Sequence, residues 1–353
     1  MNQFDRYHRQ MLLPGIGRGG QQHLAKARVL IVGCGALGTV IADALARAGV
    51  GQLVLVDRDI VEITNLQRQV LFDEDDVAQA MPKAEAARTR LAKINSSIHI
   101  EAHVADFNHT NADRLARGCS VLMDGLDNFH TRYLLNDLSV RYSIPYCYGG
   151  AVGTTGMAAV FHPGRGGPCL RCVFPEPPPP GSTPTCDTAG VLASAVAIIA
   201  HHQVTQAIKL IVGAEDAVDR SLFTLDIWHN QLRRLHLSDT PTPDCICCQQ
   251  KVFDALDGRS GAAMQVLCGR NAVQVLPRSR SEAAGMDLDA LASRLQQHGE
   301  FRVNSFILRG RLDVSAGAKG AIDLIVFPDG RALLQGISDV DIARTIYDRY
   351  IGS

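Results

Sequence analysis

Val29-Leu-Ile-Val-Gly-Cys-Gly-Ala-Leu-Gly38 is followed, a short way on, by Leu53-Val-Leu-Val-Asp-Arg-Asp59. The apolar run from Val29 to Gly33 predicts a strand buried on both faces, as parallel strands are. Gly33, Gly35 and Gly38 stand at G-x-G-x-x-G spacing, and Thr39 to Ala48 read as a helix. In such a turn the first glycine allows the tight bend and the second lets a phosphate approach the backbone. The third lets the helix pack closely on the strand. The second apolar run ends at Asp57, about twenty residues downstream, where a carboxylate takes ribose hydroxyls. Strand, glycine turn, helix and acidic strand end together imply a bound nucleotide without saying which one.

Length and composition bound the rest. With 353 residues, 46% hydrophobic and 20% charged, the chain has enough apolar surface for one large core and a smaller second unit. A net charge of -1 gives no reason to expect a nucleic-acid partner. The start, Met1-Asn-Gln-Phe-Asp5, lacks the basic-then-apolar pattern of an export signal, so a cytoplasmic protein is expected. Val191 to Val212 is apolar enough to raise the question of a membrane. His201, His202, Gln203, Gln206 and Lys209 interrupt it, so a buried helix is expected instead. Ten cysteines in a reducing compartment point to metal or thiol chemistry more than to disulfides.

Along the chain, residues 1–27 read as an arm of turns, with Pro14-Gly15, Gly17 and Gly19-Gly20 breaking it up. From there strands and helices alternate to about Tyr148, the pattern of a doubly wound, Rossmann-like, mostly parallel α/β sheet. Ala151 to Phe161 changes to glycine-punctuated strand, an expected antiparallel extension. A proline-rich run from Pro175 to Asp187 reads as a loop. Strands near 222–227 and 231–237 follow the long helix. The expected organisation is an arm (1–27), a nucleotide domain (28–250) and a small α+β domain (251–353). In the last of these, strands are expected at 265–268, 272–276, 301–308, 322–327 and 331–335. Helices are expected at 287–298 and 338–350, with Pro328-Asp-Gly330 as a hairpin turn.

Two groups of residues carry further chemistry. Cys169-Leu-Arg-Cys172 and Cys245-Ile-Cys-Cys248 are two C-x-x-C pairs, suited to hold one Zn²⁺ in a closed tetrahedral site that is structural. Their wide separation requires different elements to converge, and Cys247 stands between ligands as a bystander. Redox or free thiols are the alternative. The second group follows the second strand. Asn65, Arg68 and Lys83, with Asp59 before them, reach the mouth of the sheet, where ligands of such folds bind. Asp124-Gly-Leu-Asp127-Asn128 follows another apolar strand, and a carboxylate there suits Mg²⁺.

These motifs occur together with Arg6-Tyr-His-Arg-Gln10, Asn65-Leu-Gln-Arg-Gln69, Pro82-Lys83 and Pro184-Thr-Cys-Asp187. In this order, over residues 4–250, the chain resembles the ThiF/MoeB/HesA family, bacterial relatives of ubiquitin-activating enzymes. The resemblance implies an ATP-dependent adenylyltransferase acting on a ubiquitin-like sulfur carrier that ends in Gly-Gly, ahead of thiocarboxylate formation of the molybdopterin or thiazole type. It implies that Asp57 holds the ribose, that Asn65, Arg68 and Lys83 grip the phosphates, and that Asp127, beside Asn128, places Mg²⁺. It further implies that Arg9 is supplied in trans by the second subunit of a homodimer. A desulfurase or rhodanese in trans would supply sulfur. Cys186 matches a family thiol able to take the activated acyl group or join a persulfide relay; a packing cysteine is the other reading.

The chain departs from the family pattern at Ala36 and at His201-His202, where small residues are usual. Cys268-Gly-Arg-Asn-Ala272 tempts a rhodanese reading of the tail, but it lies too early in too short a segment. The competing functions are an NAD-dependent oxidoreductase, which leaves Arg9, Arg68, Lys83 and the cysteine pairs without work, and adenylylation of a ribosomal peptide carboxylate. A non-catalytic scaffold is the remaining one.

Overall fold

The computed structural model describes residues 4–177, 186–259, 264–267, 272–277, 285–313 and 322–352. Two units emerge, Met1–Ser260 and Gly261–Ser353.

The first unit begins with α1 (His8–Met11) and α2 (Gly17–Lys26), where the sequence predicts turns. Three glycines suggest turns by their low helix propensity, but a helix forms, and Gly20 is the one that is closely packed. A side chain on Gly20 would run into Val212 at 3.1 Å. The doubly wound part follows as β1 (Arg28–Val32), α3 (Ala36–Ala48), β2 (Gln52–Asp57), α4 (Glu74–Ala78), α5 (Lys83–Ile94), β3 (His99–Val104), α6 (Ala112–Ala116), β4 (Val121–Asp124) and α7 (Phe129–Tyr142). Next come β5 (Tyr146–Val152), β6 (Thr155–Phe161), α8 (Leu170–Val173), α9 (Cys186–Ala189), α10 (Ala193–Val212), β7 (Ser221–Asp226) and β8 (Gln231–His236).

The eight strands form one sheet in the order β3-β2-β1-β4-β5-β6-β7-β8. From β3 to β5 all pairs are parallel, and from β5 to β8 all are antiparallel. The change of direction is a hairpin between β5 and β6, so the segment read as two pieces around residue 150 is one seven-residue strand. Strand order reverses between β1 and β4, and the crevice there, at the carboxyl ends of the strands, is where open α/β sheets bind ligands.

One face of the sheet packs on α3, α5 and α10, and the other on α6 and α7. In α3 the apolar residues Leu37, Val40, Ile41 and Leu45 are buried, each worth about 1.5–3 kcal/mol. The apolar helix α10 lies against β5 and β6; Gln203 and Gln206 are buried with partners inside the protein, while His201 and Thr205 are exposed. Residues beyond 250 belong to this packing as well. Phe253, Ala255 and Leu256 join the core, and the amides of Ala255 and Leu256 donate to Asp137 at 3.0 and 3.2 Å.

The second unit is an antiparallel sheet of β9 (Met264–Leu267), β10 (Ala272–Val275), β11 (Gly299–Val303), β12 (Leu308–Leu312), β13 (Ile322–Val326) and β14 (Ala332–Gln335), ordered β11-β12-β13-β14-β10-β9. Helices α11 (Leu288–Leu295) and α12 (Val340–Tyr350) cover one face, with Leu291, Leu295, Ile346 and Tyr347 in the shared core. The single strand expected at 301–308 is in fact the hairpin β11–β12. Asn304 makes the turn, its side-chain oxygen accepting from the amides of Phe306 and Ile307 at 2.9 Å, an Asx turn. Cys268 lies outside the described residues.

Candidate functional site: a nucleotide crevice and a four-cysteine cluster

The glycine turn is built by close backbone approach. Gly33 has φ +90°, and a Cβ on Gly38 would stand 1.8 Å from the Gly33 carbonyl oxygen. Gly125, in the loop after β4, belongs to the same packing, since its Cβ would fall 2.3 Å from that oxygen. Sequence reasoning missed Gly125 as a site residue, although it stands inside the quoted Asp124–Asn128 motif. Gly35 differs: a Cβ there would meet only an ordinary contact, 3.7 Å from the Gly125 oxygen. The protein itself does not demand glycine at that position, and the space lies before the amides of the first turn of α3. Such helix ends attract anions.

Asp57 closes the other side. Its Oδ2 accepts from the Cys34 amide at 2.6 Å and its Oδ1 from the Asp59 amide at 2.7 Å, so it is aimed at the glycine turn. Burial raises its pKa and the charge of Asp59 adds to this, against the pull of Lys83 and the two amides. Lys83 is buried, its Nζ 3.4 Å from Asp59 Oδ2, and its amide donates to the Asp59 carbonyl at 2.9 Å. Its charge is felt at both Cys34 and Asp57. The sequence-predicted Gly33, Gly35, Gly38, Asp57, Asp59 and Lys83 therefore meet at one place.

Asn65 and Arg68 stand on the segment beside Lys83, held there by an Ile60–Pro82 bridge and by the Val61 amide donating to Met81 at 2.9 Å. Asn65 is buried and Oδ1 accepts from the Glu62 amide at 3.1 Å; Arg68 Nη1 donates to the Thr64 carbonyl at 2.8 Å. Among the described residues no hydrogen bond ties either to the glycine turn or to Asp57.

The two carboxylates of the Asp124–Asn128 motif have opposite fates. Asp124 is fully buried. Its Oδ2 meets Arg132 Nε at 3.0 Å and the Tyr146 hydroxyl at 2.7 Å, and its Oδ1 accepts from the Leu126 amide at 2.9 Å. Burial raises the Asp124 pKa against the pull of Arg132. Arg132 continues the network, Nη2 donating to the carbonyls of Leu126 and Gly149 at 2.8 Å. The Gln203 amide donates to the carbonyls of Asp124 and Cys147 at 3.0 Å. This internal network holds the loop that presents Asp127. Asp127 itself is exposed, with Asn128 Nδ2 3.3 Å from its Oδ1, and Asn128 caps α7 by accepting from the Thr131 amide at 3.0 Å. Arg132, Tyr146 and Gln203 were not singled out. For Arg132 the available signal was a charge on the apolar face of α7 beside Leu135 and Leu138.

Arg9 is not brought to the crevice of its own chain. Its neighbour Gln10 donates to the Ala48 carbonyl at 3.0 Å, at the C-terminal end of α3. That helix has 13 residues, about 20 Å of length at 1.5 Å per residue, and the glycine turn is at its other end. Arg9 is exposed. For Cys186 the side chain lies outside the described residues.

The two cysteine pairs converge as the spacing implies. The sulfurs of Cys169, Cys172, Cys245 and Cys248 all lie within 4.8 Å of one another. Cys169–Cys172 are 3.9 Å apart, Cys169–Cys245 3.7 Å and Cys172–Cys248 3.5 Å. Four sulfurs about 2.3 Å from a tetrahedral ion stand about 3.8 Å apart, so the thiols already have the size of a zinc cage. The Cys169 thiol and the Thr242 amide, 3.3 Å from Cys172 Sγ, hold Cys172 well below the usual thiol range. Cys247, outside the set of four, has partners of its own: its sulfur accepts from Asn136 Nδ2 at 3.2 Å and donates to Asp137 Oδ1 at 3.4 Å. Asn136 Oδ1 also accepts from the Leu170 amide at 2.8 Å. The helix capped by Asn128 at the crevice thus anchors the first cysteine knuckle about two turns further along.

A doubly wound sheet with a glycine turn at its switch point, an inward carboxylate and a buried lysine beside it defines a nucleotide-binding enzyme fold, here with a four-thiol clip. Residues 7–247 match the ThiF family. The sulfur carrier protein ThiS adenylyltransferase of Bacillus subtilis (strain 168) is 41% identical over 348 residues, covering 98% of this chain and 99% of that protein. The sulfur carrier protein adenylyltransferase of Thermus thermophilus is 39% identical over 243 residues, 68% of this chain and 89% of its own. Among solved structures, Escherichia coli MccB crystallised with ATP aligns with a TM-score of 0.59 at 25% identity, over 69% of this chain and 74% of that one. The chain belongs to the ThiF family.

Proposed function

We propose that the chain is an ATP-dependent adenylyltransferase that activates the C-terminal glycine carboxylate of a ubiquitin-like sulfur carrier, with a ThiS-like carrier favoured by the full-length relative named for ThiS. The observation that carries this reading is the meeting of Asp57, Lys83 and the open face of Gly35 at the switch point of the sheet. A carboxylate oxygen of the carrier attacks the α-phosphorus, the bond to the bridging oxygen of the β-phosphate breaks, and pyrophosphate leaves. The chain supplies charge and position rather than a covalent group. Asp57 accepts the ribose hydroxyls. The α3 amides and Lys83 offset the charge that grows on the phosphates, with Asn65 and Arg68 supporting them.

Asp127, the exposed carboxylate of its loop, suits Mg²⁺, which takes few protein ligands beside phosphates and water. The ion would add charge neutralisation at the phosphates. The four thiols fit Zn²⁺ in a closed shell, which leaves no position for chemistry. Arg9, remote from its own crevice, reaches the crevice of a second copy in a homodimer. Sulfur arrives from a donor protein in trans, and the setting is the cytoplasm.

The test is ATP–pyrophosphate exchange with and without a carrier ending in Gly-Gly. Exchange that requires the carrier supports the reading. Uptake of NAD with indifference to ATP overturns it.

A further inference from the structure

His202 departs from the family pattern, and the function proposed above gives it no part. It lines a cleft at the opposite end of the sheet from the nucleotide crevice. β6 runs back from the crevice end against β5, and β7 starts at the far end to pair with β6. There His202 and Lys209 of α10, Asp219 and Arg220 of the segment before β7, and Arg234 of β8 surround one opening.

Asp219 is held firmly by one oxygen and left wanting at the other. Its Oδ1 accepts from the amide and the hydroxyl of Ser221 at 3.0 and 2.6 Å, and its own amide donates to Gln206 Oε1 at 2.9 Å. Oδ2 is buried, and among the described residues no hydrogen bond reaches it. His202 Nε2 and Arg234 Nε each stand 3.7 Å away, beyond hydrogen-bond range. A buried acceptor in this state costs free energy, which a donor on a ligand would remove. The two groups over Oδ2 differ in freedom. The His202 ring lies flat on Phe223, with centroids 4.5 Å apart at 8°, whereas the Arg234 side chain is 61% exposed.

The cations set a second requirement. Lys209, Arg220 and Arg234 around the single carboxylate of Asp219 make the cleft attract an anion. Lys209 Nζ donates to the Ala217 carbonyl at 2.6 Å, and an ammonium has further protons to give. A bare oxyanion would set its lone pairs against those of Asp219. An oxyanion that still carries a proton donates it to Oδ2 and accepts from the cations with its other oxygens. Inorganic phosphate keeps at least one proton at neutral pH. Sulfate keeps none, and a phosphate monoester, with a second pKa of about 6, is mostly without one.

We propose that this cleft binds inorganic phosphate, with Asp219 accepting its hydroxyl, Lys209 and Arg220 holding its charge, and Arg234 moving off Oδ2 to admit it. The site is separate from the nucleotide crevice and stands independently of the ATP reading.

The experiment is equilibrium dialysis of the full chain at neutral pH and constant ionic strength against labelled phosphate, sulfate or glycerol 3-phosphate. It compares wild type with Asp219→Asn, Arg234→Ala and Lys83→Ala, and thermal unfolding is recorded for each. Wild type is expected to bind phosphate in preference to both other probes. Asp219→Asn and Arg234→Ala should each weaken phosphate about tenfold, the scale of one hydrogen bond to a charged group. Asp219→Asn should also let sulfate bind, while Lys83→Ala leaves phosphate binding in place. Arg234→Ala alters an exposed side chain, so it carries the test if Asp219→Asn fails to fold. Phosphate binding lost in Lys83→Ala and kept in Arg234→Ala would overturn the proposal, because the ion would then sit in the nucleotide crevice. Sulfate or glycerol 3-phosphate bound by wild type as tightly as phosphate would overturn it too, as would a wild-type chain that binds no phosphate.

Discussion

Asp124, the last residue of β4, and Asp127, in the loop that follows, stand three positions apart, and their surroundings give them separate tasks. Asp124 is locked by Arg132 and Tyr146, and removing Arg132 would leave a buried carboxylate without its cation. Breaking such a pair costs about 3–5 kcal/mol, so Arg132→Ala is expected to lower the melting temperature as well as the exchange rate. Asp127→Asn changes an exposed side chain. It should leave the melting temperature in place and raise the Mg²⁺ concentration needed for exchange, which a metal titration reads directly. Lys83→Ala is expected to slow exchange by about a hundredfold or more, the scale of losing one charge-stabilising donor. At this scale the sequence was legible wherever spacing reports chemistry: Gly33, Gly35, Gly38, Asp57, Asp59 and Lys83 meet as read. It was silent on Arg132, Tyr146 and Gln203, because a buried polar side chain is recognised by its partners, and those come from β4, β5 and α10, far apart in the chain.

Among the elements, α7 has the widest reach. Asn128 caps it at the crevice, Arg132 fixes the nucleotide loop, and Asn136 and Asp137 bind the cysteine knuckle and the segment at 255–256. A helix so placed cannot be amphipathic, and periodicity alone does not disclose which side meets what. The four-cysteine clip holds the far end of this helix. Replacing Cys248 by Ser is expected to release zinc, measured by elemental analysis, and to lower the melting temperature; binding of zinc with unchanged stability in that variant would contradict the staple. Cys186→Ala should retain ATP–pyrophosphate exchange, since a thiol that takes the activated acyl group acts after adenylate formation. Loss of exchange would move Cys186 into the adenylation step. The elements misread from sequence have physical reasons. In α2, Gly20 serves close packing against Val212 rather than a turn, and at Asn304 one side chain folds an apparent strand into a hairpin.

For the molecule as a whole, the proposed function places Arg9, at the far end of α3 from its own glycine turn, in the crevice of a second copy. If Arg9 completes the crevice of the other subunit, Arg9→Ala and Lys83→Ala are each inactive alone. Mixed dimers hold one site with neither lesion, so reassorting equal amounts should restore about a quarter of wild-type exchange. If Arg9 acted within its own chain, mixing would restore nothing. The second unit has its own core, and its sheet was legible in outline because alternating apolar residues and the Pro328–Gly330 turn mark strands. Its task was not, because no charged or thiol constellation in it has a recognisable spacing.

The central claim concerns one bond, and following the α-phosphate tests it most directly. ATP labelled at that position is incubated with the full chain and a carrier ending in Gly-Gly, then quenched rapidly in acid. The label is expected on the carrier, with an equal amount of pyrophosphate released and none of either when the terminal glycine is removed. Label found in ADP, with inorganic phosphate released and the carrier unlabelled, would contradict the account.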